Sequence, residues 1–246
     1  MRFSIVTSAS TEVLVVSPGG VGTTFLMHAL QEFRRTNSPD NHDGFKHLPV
    51  PPLAGNRSLK VVYVFGDPVL ATVSLFRRGY QHIQSRVIQK YYRSEFIIPQ
   101  GMPLEEYLAQ PRESYFYRRH LENWRDIPTP YPVLFLRYAN LHEQLPTLRD
   151  FLDLPPEFSE RFPPRKERRS RLGDLPAGIR AGLEKRYGSW REDSRAFPDA
   201  WVRPANAPRW YLPLRAPYPR AYASELLTRA PLLQSLRRAT KKLFGR

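Results

Sequence analysis

Gly19, Gly20 and Gly22 lie in the stretch VLVVSPGGVGTTFLMHAL, between an apolar run and a helical pattern, with Thr23 and Thr24 directly behind them. A strand that turns through glycines into a helix aims several backbone N–H groups at one point. The helix dipole reinforces them, so the chemistry on offer is the holding of a phosphate or sulfate. The glycines permit close approach and positive φ, and the threonine hydroxyls add donors. A triphosphate loop of the form G-x-x-x-x-G-K-[ST] would need glycine at Ser17 and lysine at Thr23, so kinase chemistry is disfavoured. A glycine turn that merely links strand to helix is the competing reading of this stretch alone.

The elements that must position this loop are visible as three buried runs, EVLVVS (12–17), KVVYVF (60–65) and PVLFLRY (132–138), each followed by helix-like sequence. The second ends in Asp67-Pro68, an N-cap followed by proline at the first helical position, and its helix is expected to run on through residue 92. After the third, Leu145, Leu148, Phe151 and Leu152 share a helical face. Strand–helix alternation predicts an α/β fold, a three-layer arrangement of a parallel sheet flanked by helices. The polar stretch from 35 to 58 reads as a long loop, a common place for function. Residues 1–197 form the expected domain. Residues 198–246 read as a proline-rich arm and a basic amphipathic helix packed on it, with Leu232, Leu236 and Leu243 on one face and Arg237, Arg238, Lys241 and Lys242 alongside.

The chain has 246 residues, enough for one α/β core. It has no cysteine, which excludes disulfides, thiolate catalysis and cysteine-based zinc sites. Its six histidines form no H-E-x-x-H pair. A formal charge of +15 points to an anionic partner: nucleic acid, acidic lipid, acidic glycan or a phosphorylated cofactor. Neither a signal peptide nor a membrane anchor is read at the N-terminus, so a cytoplasmic location is expected. The basic C-terminal helix is the candidate for peripheral membrane contact. No nucleic-acid partner is expected, since no recognition motif stands out.

In this context PGGVGTTFL resembles the loop Y-P-K-S-G-T-T-W-L of the sulfotransferases that use 3′-phosphoadenosine 5′-phosphosulfate (PAPS), matching at Gly22, Thr23, Thr24 and Leu26. VVYVFGDPVLATVSLFRR resembles their 3′-phosphate segment, with Ser74 eight residues after Gly66. FKHLP resembles their K-T-H-L-P segment, and SYFYRRHLENW keeps H-x-x-x-W at His120 and Trp124. RRSRLGDL aligns on R-K-G-x-x-G-D-W. The resemblance runs in order through residues 12 to 190.

The resemblance implies a P-loop-like phosphosulfate-binding loop built from Gly19, Gly20, Val21, Gly22, Thr23, Thr24 and Phe25, with Phe25 in place of the tryptophan that stacks near adenine. It implies a 3′-phosphate site at Ser74, Arg168 and Arg169, Tyr115 near adenine, and His47 as the general base that deprotonates an acceptor hydroxyl; His42 is the runner-up base. His28 reads as packed, and His82, His120 and His142 as structural or exposed. The cofactor would be PAPS, leaving adenosine 3′,5′-bisphosphate, and the transfer needs no metal. The acceptor would carry a hydroxyl, with an anionic glycan or glycolipid fitting the basic charge. Two basic groups of the family are missing, at Gly20 and Gly66. Lys46 can replace the first from the opposite loop, and Arg77 or Arg78 the second. Two rivals stay open: a kinase with Asp67 as its magnesium-binding acid, and a non-catalytic nucleotide-binding relative.

Overall fold

The computed structural model describes residues 6–92, 96–165 and 172–207. Three strands form where the apolar runs predict them: β1 (Val13–Val16), β2 (Lys60–Phe65) and β3 (Val133–Arg137). β1 pairs parallel with β2, Val13 opposite Lys60, and β2 parallel with β3, Val61 opposite Val133. Their side chains are buried along nearly their whole length, as expected of a parallel sheet covered on both faces. A fourth strand, β4 (Ala200–Arg203), joins the edge antiparallel to β3. The result is an α/β fold with an open, mostly parallel four-stranded sheet in the order β1-β2-β3-β4, flanked by helices.

β4 lies at the start of the expected proline-rich arm and is part of the sheet. Its Trp201 stacks on Phe135 with ring centroids 4.5 Å apart. Arg137 fastens the corner, donating to Asp199 and to the carbonyls of Ser194 and Phe197. The helix expected near the C-terminus lies outside the described residues.

Helix α1 (Thr23–Gln31) follows the glycine loop. The single helix expected from Pro68 through residue 92 is instead two, α2 (Pro68–Arg77) and α3 (Gln81–Tyr92). Gly79 takes φ +70°, its N–H reaches the Phe76 carbonyl, and the Tyr80 N–H reaches the Leu75 carbonyl. This paired C-terminal bonding ends a helix in a way that a left-handed glycine favours. Helices α4 (Leu104–Ala109), α5 (Tyr117–Asp126), α6 (Leu145–Leu152), α7 (Glu157–Arg161) and α8 (Ala177–Arg195) follow along the chain. Leu145, Leu148 and Leu152 are buried as the periodicity requires, with Phe151 partly so.

α8 packs against α2 and α4. The contact has a polar anchor. One Asp67 carboxylate oxygen caps α2, accepting from the N–H groups of Val69 (2.9 Å) and Leu70 (3.3 Å), and the other accepts from Arg191 Nε of α8 at 2.8 Å. Asp67→Ala removes cap and Nε partner together and leaves the part-buried Arg191 guanidinium with Glu184 alone, at 3.2 Å, so it should lower unfolding free energy by about 2 kcal/mol. Asp67→Asn, which keeps a capping oxygen, should recover part of that loss in urea denaturation.

Candidate functional site

The glycine loop begins where β1 ends. Ser17 Oγ shares a 2.6 Å hydrogen bond with Thr23 Oγ1 and accepts the Gly19 N–H at 3.2 Å, closing the turn on itself. Gly20 has φ +75° and Gly22 φ +68°. A Cβ on Gly20 would lie 2.5 Å from the Ala71 carbonyl oxygen, and one on Gly22 would lie 2.0 Å from the Tyr138 ring. Both positions therefore require glycine. Within the described residues, none of the backbone N–H groups from Gly20 to Phe25 donates to another residue. The first turn of α1 contains no acidic side chain. Unpaired donors at a helix N-terminus favour an anion.

The loop at 35–58, which contains no helix or regular strand, lies across this turn and brings Lys46 and His47 to it. The Lys46 carbonyl accepts the Ser17 N–H at 3.0 Å, and the Asn41 side chain accepts the Lys46 N–H. Lys46 Nζ donates to Thr24 Oγ1 at 2.6 Å and to the Pro39 carbonyl. The side chain is 8% exposed. Burial lowers its proton affinity and Arg78 adds to this, against the opposing pull of Asp40 and Asp43. An ammonium thus stands at the first turn of α1, where the loop itself has no charge.

His47 Nδ1 lies 2.9 Å from the Ser17 carbonyl. A carbonyl only accepts, so Nδ1 carries the proton and the lone pair is on Nε2. The ring is partly buried, and burial, joined by the charges of Lys46 and Arg78, pushes its pKa down to about 3 despite the Ser17 bond. This is well below the near-neutral value that suits a free-standing general base. The imidazole is neutral in the bare site, with two cations holding protons off it.

Helix α5 fixes the loop that carries these two residues. Trp124 Nε1 donates to the Leu48 carbonyl at 2.7 Å, and Asn123 Nδ2 to the Pro49 carbonyl at 3.0 Å. His120, fully buried, shares a 2.8 Å hydrogen bond between Nδ1 and the Tyr63 hydroxyl, and burial pushes its pKa down to about 3. The H-x-x-x-W spacing has a physical account here: it clamps the backbone behind His47. Asn123 belongs to the same clamp and was not read from the sequence; a polar residue between His120 and Trp124 on the buried face was the signal.

Other candidate residues are placed differently. Ser74 is half-buried on α2, and its carbonyl accepts from Arg78 Nε at 3.1 Å. Both Arg77 and Arg78 are exposed, and Arg78 is the one whose charge reaches Lys46 and His47. Phe25 packs edge-on against Phe162, with centroids 5.6 Å apart. Tyr115 is fully buried among Tyr107 and Tyr117. Asp67 has one oxygen in the α2 cap and the other on Arg191. His28 is exposed rather than packed, and His42 is exposed beside Asp40. Arg168 and Arg169 lie outside the described residues. At Gly66 a Cβ would press on the Val21 side chain at 3.1 Å and meet Tyr138 Cβ at 3.9 Å, with no backbone in the way.

No cluster of three or more His, Asp or Glu side chains suited to a metal ion occurs among the described residues. No described helix is long and apolar enough to cross a membrane. The chain matches no protein-family model and no curated protein. Gly20→Lys should fail as a way to add a cation to the loop: Cβ meets the rigid Ala71 backbone, so thermal denaturation should show lower stability, with no gain in anion affinity.

Proposed function

We propose that the protein is a PAPS-dependent sulfotransferase, transferring a sulfuryl group to an acceptor hydroxyl. The observation that carries this reading is the convergence of Lys46 Nζ on Thr24, beside a histidine whose tautomer is set by Ser17, on a turn with unpaired N–H groups. Support also comes from the ordered resemblance of the motifs. The finer description of the fold, a three-layer arrangement with a P-loop-like phosphosulfate loop, belongs to this reading, as does a cytoplasmic location.

PAPS, when bound, supplies the sulfuryl group and departs as adenosine 3′,5′-bisphosphate. On this reading residues 19–25 hold the 5′-phosphosulfate, with Phe25 toward the adenine side. Ser74, Arg77 or Arg78, Arg168 and Arg169 hold the 3′-phosphate. His47 Nε2 accepts the acceptor's hydroxyl proton. Lys46 and the loop N–H groups neutralise negative charge as it builds on the departing phosphate oxygen. Arriving anionic charge favours the imidazolium and so raises the basicity of His47 from its depressed value. No metal and no nucleic acid enters this scheme, and the basic surface suits a carbohydrate or glycolipid acceptor.

The depressed basicity of His47 favours one alternative, a protein that binds the nucleotide without transferring sulfate. Calorimetric titration with adenosine 3′,5′-bisphosphate should give the same affinity with magnesium and with a chelator, and Lys46→Met should weaken it about tenfold or more. Absence of bisphosphate binding would overturn the cofactor assignment. Against pooled glycan and glycolipid acceptors, His47→Ala should cut transfer from labelled PAPS about a hundredfold or more while binding persists. Binding without any transfer by the wild-type chain identifies the non-catalytic alternative.

A further inference from the structure

Four large apolar side chains are exposed among the described residues: Tyr80 (51%), Ile83 (48%), Ile97 (46%) and Val202 (47%). Two belong to one row. Tyr80 and Ile83 are one turn apart at the start of α3, and half-buried Val87 continues the same row. Ile97 follows a different side of α3, where the N–H of its neighbour Ile98 donates to the buried Ser85 Oγ at 3.0 Å. Guanidinium groups intersperse with this row: Arg77, Arg78 and Arg86 are exposed, and Arg78 lies over the Tyr80 ring at 5.4 Å. From Pro68 to Tyr92 the sequence has four Lys or Arg and no Asp or Glu.

We infer that this surface, the α2–α3 corner and the outer side of α3, docks on an anionic membrane. Apolar side chains at helical spacing with cations beside them match the boundary between acyl chains and acidic headgroups. Arg and Tyr are common in protein interfaces too, but four cations with no Asp or Glu from Pro68 to Tyr92 suit a partner that is anionic throughout. A soluble polyanion needs the cations but has no use for Tyr80 and Ile83. The surface is distinct from the C-terminal basic segment and stands whether or not the chain transfers sulfate. The inner face of α3 touches the glycine loop, where the buried Gln84 donates to the Pro18 carbonyl at 2.7 Å.

The chain has no cysteine, so Ile83→Cys gives a single labelling site on the full chain. A polarity-sensitive fluorophore there should brighten, shift to the blue and escape an aqueous quencher when phosphatidylcholine vesicles containing phosphatidylserine are added. Pure phosphatidylcholine should have no such effect, and the same label at Val202→Cys should stay quenchable. Arg86→Gln in the otherwise unmodified chain should weaken sedimentation with anionic vesicles about fivefold. The inference is overturned if the protein does not bind the vesicles, if it binds while the label at 83 stays accessible to quencher, or if heparin alone reproduces the spectral change.

Discussion

A side chain at position 20 would drive its Cβ into the Ala71 carbonyl, and the rest of the site follows from that collision. The turn packs so closely on α2 that it cannot carry its own cation. Positive charge has to come from another segment, and it comes from Lys46, whose ammonium ends on Thr24 at the first turn of α1. The loop at 35–58 is therefore held with unusual care for a segment without regular structure. The Lys46 and Ser17 backbones are joined, and α5 grips the Leu48 and Pro49 carbonyls from behind.

Burial is the main reason that both Lys46 and His47 hold protons weakly in the bare site. At His47 the charges of Lys46 and Arg78 add to it, whereas at Lys46 the pull of Asp40 and Asp43 opposes it. On the proposed reading, an anion between the two groups favours their charged forms. On that reading, anion binding and the basicity of His47 form one linked equilibrium, and this is how a depressed histidine would take part in proton transfer.

The strands were legible because runs such as VLVV and KVVYVF are buried on both faces, and the glycine turn because its spacing has few other uses. Gly79 was harder to read, since the apolar periodicity continues past it and only its left-handed backbone breaks α2 from α3. β4 was hidden because AWVR is a short edge strand within proline-rich sequence. The full burial of Tyr115 among other tyrosines does not show in its spacing. The sequence places Lys46 beside His47, but its reach to Thr24 is a tertiary fact. The collision at Gly20 is likewise invisible without Ala71 in view.

The central claim is that the turn at Gly20–Thr24 and the Lys46–His47 pair form one anion site. NMR titration of the His47 imidazole, with and without saturating adenosine 3′,5′-bisphosphate, tests it most directly. The account predicts a pKa near 3 in the bare protein, raised toward the ordinary value of about 6.5 by the ligand's negative charge. A His47 titration that the bound bisphosphate leaves unmoved would contradict it.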